Sequence, residues 1–230
     1  MVEDSGQTGL LGVPGRYIAS YQSDSEAQIS RDGKQIAYAC GRSGYPEVRV
    51  DANDGYSPEL TRRLLRELPD FQPAFVEEMF PENVDHYREL KAFLNQQHLK
   101  TLIADGEGQS KLEGLMPYME ARVVDVYQAD MNRFGIEGIM QEAASVGTRG
   151  FIGPHNWGSL VGFYMILHIG RAIANFYRAE NDPLDSDVLI ADGYVIRDGS
   201  ATVPDEPGFG LKINGERFAS TIKPRFDLRL

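Results

Sequence analysis

The chain has 230 residues, 42% of them hydrophobic and 25% charged, so it is long enough to bury a sizeable core as a globular protein. Its formal net charge of -11 argues against nucleic acid or an anionic membrane as a partner. The single cysteine, Cys40, cannot form an internal disulfide, and neither a signal peptide nor a bilayer-spanning apolar segment is visible. We therefore expect a cytoplasmic protein.

The N-terminal part of the chain has no regular pattern. Residues 1–15 are rich in Gly, Ser and Pro and are expected to be a loose lead-in. Short strands are predicted over 16–21 and 35–40, with a polar, irregular stretch over 22–34 between them.

From residue 48 onward, predicted strands alternate with amphipathic helices. Strands are predicted at 48–53, 74–78, 101–104, 123–127 and 150–153, and helices at 58–68, 83–97, 111–121, 136–146 and 158–173. This alternation predicts a parallel sheet covered by helices. With a sixth unit ending near residue 180, and no glycine-rich phosphate loop, it favours a (β/α) TIM-type barrel over residues 16–182.

The C-terminal segment, residues 183–230, has a different character. Apolar runs at 188–190, 194–196 and 201–203 are separated by Asp-Gly pairs, which predicts short antiparallel strands with tight turns. A Pro- and Gly-rich loop over 204–210 and a short helix over 216–222 complete a β-rich tail.

Polar, ionisable residues recur at the ends of the predicted strands. They are Asp51, Glu77, Glu107, Asp130, His155 and Glu180. A single such residue is usually a turn residue or a helix cap, but in a barrel the carboxyl ends of all strands meet on one face. Three carboxylates on consecutive strands (Asp51, Glu77 and Glu107) would offer oxygen ligands to one cation, and oxygen ligation favours Mg²⁺ over Zn²⁺.

Asp130 and His155 follow the next two strands. In a barrel they are near enough for the carboxylate to orient the imidazole, which gives a general base or acid that works near neutral pH. A lone histidine after Gly-Pro is more often structural, but the strand-end Asp beside it favours a functional role.

These motifs resemble the barrel domain of the enolase superfamily, in its mandelate racemase/muconate lactonizing enzyme-like branch. The matching segments are Val50-Asp51-Ala52-Asn53, Val76-Glu77-Glu78, Asp105-Gly106-Glu107, Gln128-Ala129-Asp130 and Pro154-His155-Asn156-Trp157. The resemblance, which runs from about residue 48 to the C-terminus, implies Mg²⁺ as cofactor. It makes Asp51, Glu77 and Glu107 the metal ligands, with Asn53 as a secondary site residue. It also makes His155 with Asp130 the base that removes the proton α to a carboxylate, with Glu180 as a candidate acid.

The chain departs from the family pattern in three places. Met79 stands where a proline is usual, and only about fifteen residues precede the first candidate strand, so most of the capping domain is expected to be missing. Ala37 and Ala39 occupy the positions of the family's Lys-x-Lys. Because a parallel crossover needs about a dozen residues, the short link after residue 42 implies either a lost helix or an antiparallel edge at 35–40.

The resemblance implies a Mg²⁺-dependent lyase acting on a small carboxylate, an acid-sugar dehydratase being the preferred reading. One alternative is a racemase or epimerase, which needs bases on both faces of the substrate, so the missing lysines count against it. The other is a truncated, metal-binding relative without turnover, or a fragment of a longer gene. A barrel rim without its lid would expose apolar surface, which favours a homo-oligomer.

Overall fold

The computed structural model describes residues 28–29, 36–37, 49–67, 73–181, 184–197 and 200–221. Strands β1 (Gln28–Ile29) and β2 (Ile36–Ala37) pair antiparallel. The prediction of an irregular stretch over 22–34 is therefore wrong at residues 28–29, and the antiparallel alternative for 35–40 is the one observed at 36–37. The predicted lead-in 1–15 and strand 16–21 lie outside the described residues.

The main sheet has five parallel strands that lie side by side in chain order. They are β3 (Arg49–Asp51), β4 (Phe75–Glu77), β5 (Leu102–Asp105), β6 (Val126–Tyr127) and β7 (Phe151–Ile152). The connecting helices are α1 (Pro58–Glu67), α2 (Val84–Gln96), α3 (Leu112–Ala121) and α4 (Met131–Val146), and α5 (Leu160–Ala172) follows β7. This confirms the predicted α/β class with a parallel sheet.

A sixth position extends this row of strands. Ile152 forms a parallel bridge to Phe176, which leads the chain to Glu180. The strand order never reverses among the described strands, as expected for successive units of a barrel and not for a doubly wound sheet. The described parallel strands form one open row.

The core lies between the sheet and its helices. Val76 and Ile103 at the centre of the sheet are almost fully buried, as are Leu65 of α1 and Leu90 of α2. Helix α1 begins at a side-chain cap, because Ser57 Oγ accepts a hydrogen bond from the Leu60 amide. The apolar residues that recur along each helix therefore face the core, and each strand contributes a short run of buried residues.

A first helical turn precedes the predicted helix. The helix predicted over 136–146 is observed, but α4 (Met131–Val146) also includes a turn before it, joined across a kink at the non-helical Gly135 (φ 63°, ψ -179°). Asp130 Oδ1 accepts a hydrogen bond from the Arg133 amide at 2.9 Å and so caps the first turn. Glycine tolerates the positive φ that continues the chain into the rest of the helix. The early start places Arg133 beside the strand ends.

The tail consists of two antiparallel pairs. Strand β8 (Leu189–Ile190) pairs with β11 (Lys212–Ile213), a partner that the sequence did not predict, and β9 (Val195–Arg197) pairs with β10 (Ser200–Thr202). Helix α6 (Gly215–Thr221) follows. None of the helices in the described ranges is long and apolar enough to cross a bilayer.

Tyr194 attaches this tail to helix α5. Its hydroxyl donates to the Phe209 carbonyl oxygen at 2.5 Å and lies 2.8 Å from His168 Nε2. The Tyr194 ring also packs against Tyr164, with ring centroids 4.5 Å apart. A pair of aromatic residues on α5 therefore holds the tail loop.

A buried glutamate on α4 makes the stability of the fold depend on pH. Glu142 has no exposed surface; Oε1 accepts a long hydrogen bond of 3.4 Å from the Ala129 amide, and Oε2 has no hydrogen-bond partner among the described residues. Burial raises the pKa of Glu142 to about 8, from an ordinary value of 4.5. The protonated carboxyl is thus favoured only in the folded state.

We expect the free energy of unfolding to fall as pH rises from about 4.5 to about 8, since the unfolded chain releases this proton first. The contribution of this group should reach about 1.4 kcal/mol per pH unit. Glu142→Gln should remove that slope and stabilise the protein at pH 8. Urea unfolding at several pH values from 5 to 8 measures how the free energy of unfolding depends on pH. The control is Glu137→Gln, at an exposed residue of the same helix. Parallel curves for the natural protein and Glu142→Gln would contradict the prediction.

Candidate active site

The structure places the six predicted site residues at the carboxyl ends of neighbouring strands. Asp51 and Glu77 are register partners on β3 and β4, and Glu107 lies two residues beyond the end of β5. Asp130 and His155 form a parallel bridge just beyond β6 and β7. Glu180 reaches the same face, where its Oε2 accepts a hydrogen bond of 2.6 Å from the Asn156 amide.

His155 is held at both ring nitrogens. Its Nδ1 lies 2.6 Å from Asp130 Oδ2, and its Nε2 lies 3.1 Å from Glu107 Oε2 and 4.0 Å from Glu180 Oε2. A proton on Nδ1 donates to the mostly buried carboxylate of Asp130 and fixes the ring tautomer. The nitrogen that faces the other carboxyl groups is then Nε2, which can accept a proton.

The carboxyl groups on the first strands are buried close to one another. Burial, together with the charges of Asp51, Glu180 and Glu107, raises the pKa of Glu77 well above its ordinary value. Burial raises the pKa of Asp51 to about 6 and also raises the pKa of Glu107. Gln128 Nε2 donates to Glu77 Oε1 at 2.7 Å, and this hydrogen bond partly offsets the rise in the pKa of Glu77.

The donor set fits a hard cation by its chemistry. In the described part of the chain, no three His, Cys, Asp or Glu side chains already converge into a metal-binding group. Instead, Gln128 occupies one oxygen of Glu77 and His155 contacts one oxygen of Glu107. The available donors are carboxylate oxygens whose mutual repulsion a divalent cation would relieve.

Two further acids lie behind this row, and the sequence reasoning missed them. Glu78 (φ 41°) accepts a hydrogen bond from Asn53 Nδ2 at 3.3 Å, and burial raises its pKa to about 9. Asp105 accepts a hydrogen bond from the Tyr87 hydroxyl, and burial raises its pKa to about 8. Both groups are therefore mostly neutral at pH 7, which limits the repulsion on their neighbours.

Sequence reasoning also gave no role to Gln128 or Arg133. Gln128 lies in the motif that was used only for Asp130, so a signal for it was present. Arg133 gave no signal, because its importance depends on where helix α4 begins. Asn53, the predicted secondary residue, lies in the turn after β3 at φ 45°, where its amide group contacts Glu78.

The fold and the site together define a class: α/β proteins whose parallel sheet carries a histidine among several carboxyl groups at the carboxyl ends of its strands. The chain belongs to the enolase C-terminal domain-like family, whose model matches residues 21–217. The resemblance to the mandelate racemase-like branch of the enolase superfamily is thereby confirmed.

Several relatives are named as dehydratases. A D-galactonate dehydratase family member of Pseudarthrobacter chlorophenolicus is 27% identical over 187 residues, which cover 76% of this chain and 44% of that protein. A galacturonate dehydratase from Geobacillus sp., solved with D-galacturonate and 5-keto-4-deoxy-D-galacturonate, is 32% identical at a TM-score of 0.69. That match covers 74% of this chain and 46% of the relative.

A mutant of the Geobacillus enzyme was solved with Mg bound, and it is 30% identical at the same TM-score of 0.69. That match covers 76% of this chain and 45% of the mutant enzyme. The chain thus spans less than half the length of each of these two relatives.

Proposed function

We propose that this protein removes the proton α to the carboxylate of a sugar acid and eliminates water, as a Mg²⁺-dependent acid-sugar dehydratase. The observation that carries the proposal is the position of His155, with Nδ1 on Asp130 and Nε2 facing Glu107 and Glu180. Relatives named as dehydratases of galactonate, gluconate and galacturonate support the choice of reaction and substrate class.

The proposal includes the architecture of the site. The sheet is taken to continue into a (β/α) barrel over residues 16–182, with residues 183–230 as the β-rich segment that returns to a capping domain. The sequential parallel order of β3 to β7 and the bridge to Phe176 support the barrel. In a barrel, loops after the strands gather on one face, where these residues lie.

Asp51, Glu77 and Glu107 are the proposed Mg²⁺ ligands. Their chemistry and their raised pKa values support this assignment, and relatives solved with Mg agree with it. When bound, the ion would act as a Lewis acid toward the substrate carboxylate. Because the ligands must be ionised, their affinity for Mg²⁺ should rise with pH through the range around pH 6.

The proton transfers are assigned to the residues of this chain. His155 Nε2 accepts the α-proton, and the electron pair moves into the substrate carboxylate to give an enediolate. Asp130 orients the ring and stabilises the imidazolium that forms. The imidazolium, whose N–H exchanges with solvent, returns a proton to the α-carbon or donates it to the departing β-hydroxyl. In the second case one water leaves, the resulting enol becomes the ketone by taking a proton at the β-carbon, and no oxidant is needed. Glu180, which the Asn156 amide anchors, is placed to stabilise the enediolate as a hydrogen-bond donor when protonated, since burial raises its pKa to about 7.

The test is incubation in D₂O with Mg²⁺ and a panel of galactonate, gluconate, xylonate and galacturonate. We expect α-deuterium in the recovered substrate and a dehydrated keto product that carries deuterium at the former β-carbon, detected by NMR and mass spectrometry. Exchange without dehydration would favour the racemase or epimerase. That alternative needs a second base, which Ala37 in the antiparallel β1–β2 pair cannot supply. Metal binding without exchange on any substrate would favour the other alternative, a metal-binding relative that has no turnover.

A further inference from the structure

We propose that Arg133 is a positioning residue that fixes Glu107 relative to the His155–Asp130 pair. This inference rests on the proposed function, because it concerns a proposed Mg²⁺ ligand and the proposed base. Arg133 lies in the first turn of α4 and is largely exposed. It belongs to none of the motifs by which the site was recognised.

Four contacts form a closed ring through this residue. Arg133 Nη1 donates to the Glu107 carbonyl oxygen at 2.7 Å, and the Arg133 amide donates to Asp130 Oδ1 at 2.9 Å. Asp130 Oδ2 lies 2.6 Å from His155 Nδ1, and His155 Nε2 lies 3.1 Å from Glu107 Oε2. The ring therefore connects the ends of β5, β6 and β7 through hydrogen-bonding groups alone.

Arg133 makes a contact to Glu107 itself, while the flanking residues are held separately: the Gln128 amide donates to the Asp105 carbonyl oxygen at 3.0 Å and the Gln109 amide to the Gly106 carbonyl oxygen at 3.1 Å. Gly106 turns the chain at φ 137°, a conformation that other residues rarely adopt, and Glu107 lies beyond the last ladder residue of β5. A guanidinium N–H is a strong donor to a carbonyl oxygen, and its planar group restricts the direction of the bond. Without it, Glu107 would lose the hydrogen bond that joins its own backbone to the first turn of α4.

The first experiment measures Mn²⁺ binding by electron paramagnetic resonance, together with α-proton exchange. Arg133→Ala should weaken Mn²⁺ binding by about 10- to 100-fold, the loss typical of residues that orient metal ligands. It should lower kcat more than it raises KM. Arg63→Ala is the matched control, since Arg63 lies on α1, is mostly exposed and pairs with Glu67 at 2.7 Å. This control should change neither quantity.

Chemical rescue separates positioning from general structural support. Guanidinium chloride at a concentration far below denaturing levels should restore much of the Mn²⁺ affinity of Arg133→Ala, whereas NaCl at equal ionic strength should not. Arg133→Lys should retain an intermediate affinity, because an ammonium group can reach the carbonyl oxygen without the planar geometry.

The possible results are distinct. Absence of Mn²⁺ binding by the natural protein would overturn the proposed metal site and this inference with it. Binding by the natural protein and equal binding by Arg133→Ala would overturn this inference alone. A loss that guanidinium does not rescue, accompanied by a lower Tm, would show a structural role and would also overturn it.

Discussion

His155→Asn is expected to lower the rate of α-proton exchange by about 10²- to 10⁴-fold, the contribution typical of a positioned general base. Asparagine can still donate a hydrogen bond to Asp130 from about the place of Nδ1, but it cannot take up a proton. Mg²⁺ affinity should change much less. Although His155 contacts the proposed ligand Glu107, it is not itself a proposed ligand. Deuterium incorporation followed by NMR measures the rate.

The control for this substitution is His98→Asn. His98 is exposed after helix α2 at φ 55°, a left-handed conformation that asparagine tolerates well. The same chemical change should therefore leave exchange, binding and stability unaltered there. If His155→Asn retained half or more of the natural exchange rate, His155 would not be the base.

Glu77→Gln should have opposite effects on metal binding and on stability. Glu77 is buried beside Asp51 and near Glu107 and Glu180, and its raised pKa shows that its charge is costly in the folded protein. Without Mg²⁺, the neutral amide should raise the free energy of unfolding at pH 7, since ionisation of this carboxyl is disfavoured only in the folded protein. Mg²⁺ affinity should fall by more than about 100-fold, which exceeds the loss expected for a residue that only orients a metal ligand.

The raised pKa of Glu77 also sets the direction in which stability changes with pH. A carboxyl whose pKa is raised in the folded state contributes stability at low pH and loses it as pH rises above the ordinary value of 4.5. The metal-free natural protein should therefore lose stability over that rise, and Glu77→Gln should lose less. Mg²⁺ should raise the Tm of the natural protein and not that of the variant.

Glu78→Gln is the matched control for the loss of metal affinity. Burial raises the pKa of Glu78 to about 9, so the neutral amide should also stabilise the metal-free protein, whereas Mg²⁺ affinity should change little. Calorimetric Mg²⁺ titrations and thermal unfolding with and without Mg²⁺ measure both variants. If Glu77→Gln bound Mg²⁺ as tightly as Glu78→Gln, Glu77 would not be a ligand.

The sequence was informative about the sheet because strand and helix periodicities are local. The five parallel strands from β3 to β7 were all predicted, although the observed strands are mostly shorter than the predicted ones. Errors occurred where pairing is non-local. Nothing near Leu189–Ile190 in sequence identified Lys212–Ile213 as its partner. The pair at 28–29 and 36–37 is a local hairpin and a different error: residues 28–29 lie in the stretch predicted to be irregular, and only the structure of 35–40 was left open.

The start of α4 shows how a small local error hides a functional contact. A helix predicted from residue 136 leaves Arg133 in a loop, with no reason to meet Glu107. The Asp130 cap moves the first turn forward and brings the Arg133 side chain to the Glu107 carbonyl oxygen. Capping by a residue already assigned a catalytic role was not considered from sequence.

The sequence by itself determined which ionisable residues end the strands and in what order, because a strand followed by a helix is encoded in neighbouring residues. It thereby placed Asp51, Glu77, Glu107, Asp130, His155 and Glu180 on one face. Only the tertiary structure decided that His155 Nε2 faces Glu107, and that Gln128 holds Glu77. It also decided which carboxyl groups are buried, and burial raises their pKa values. Hydrogen bonds between strands and the loss of solvent on burial depend on residues far apart in the chain, so local patterns cannot supply them.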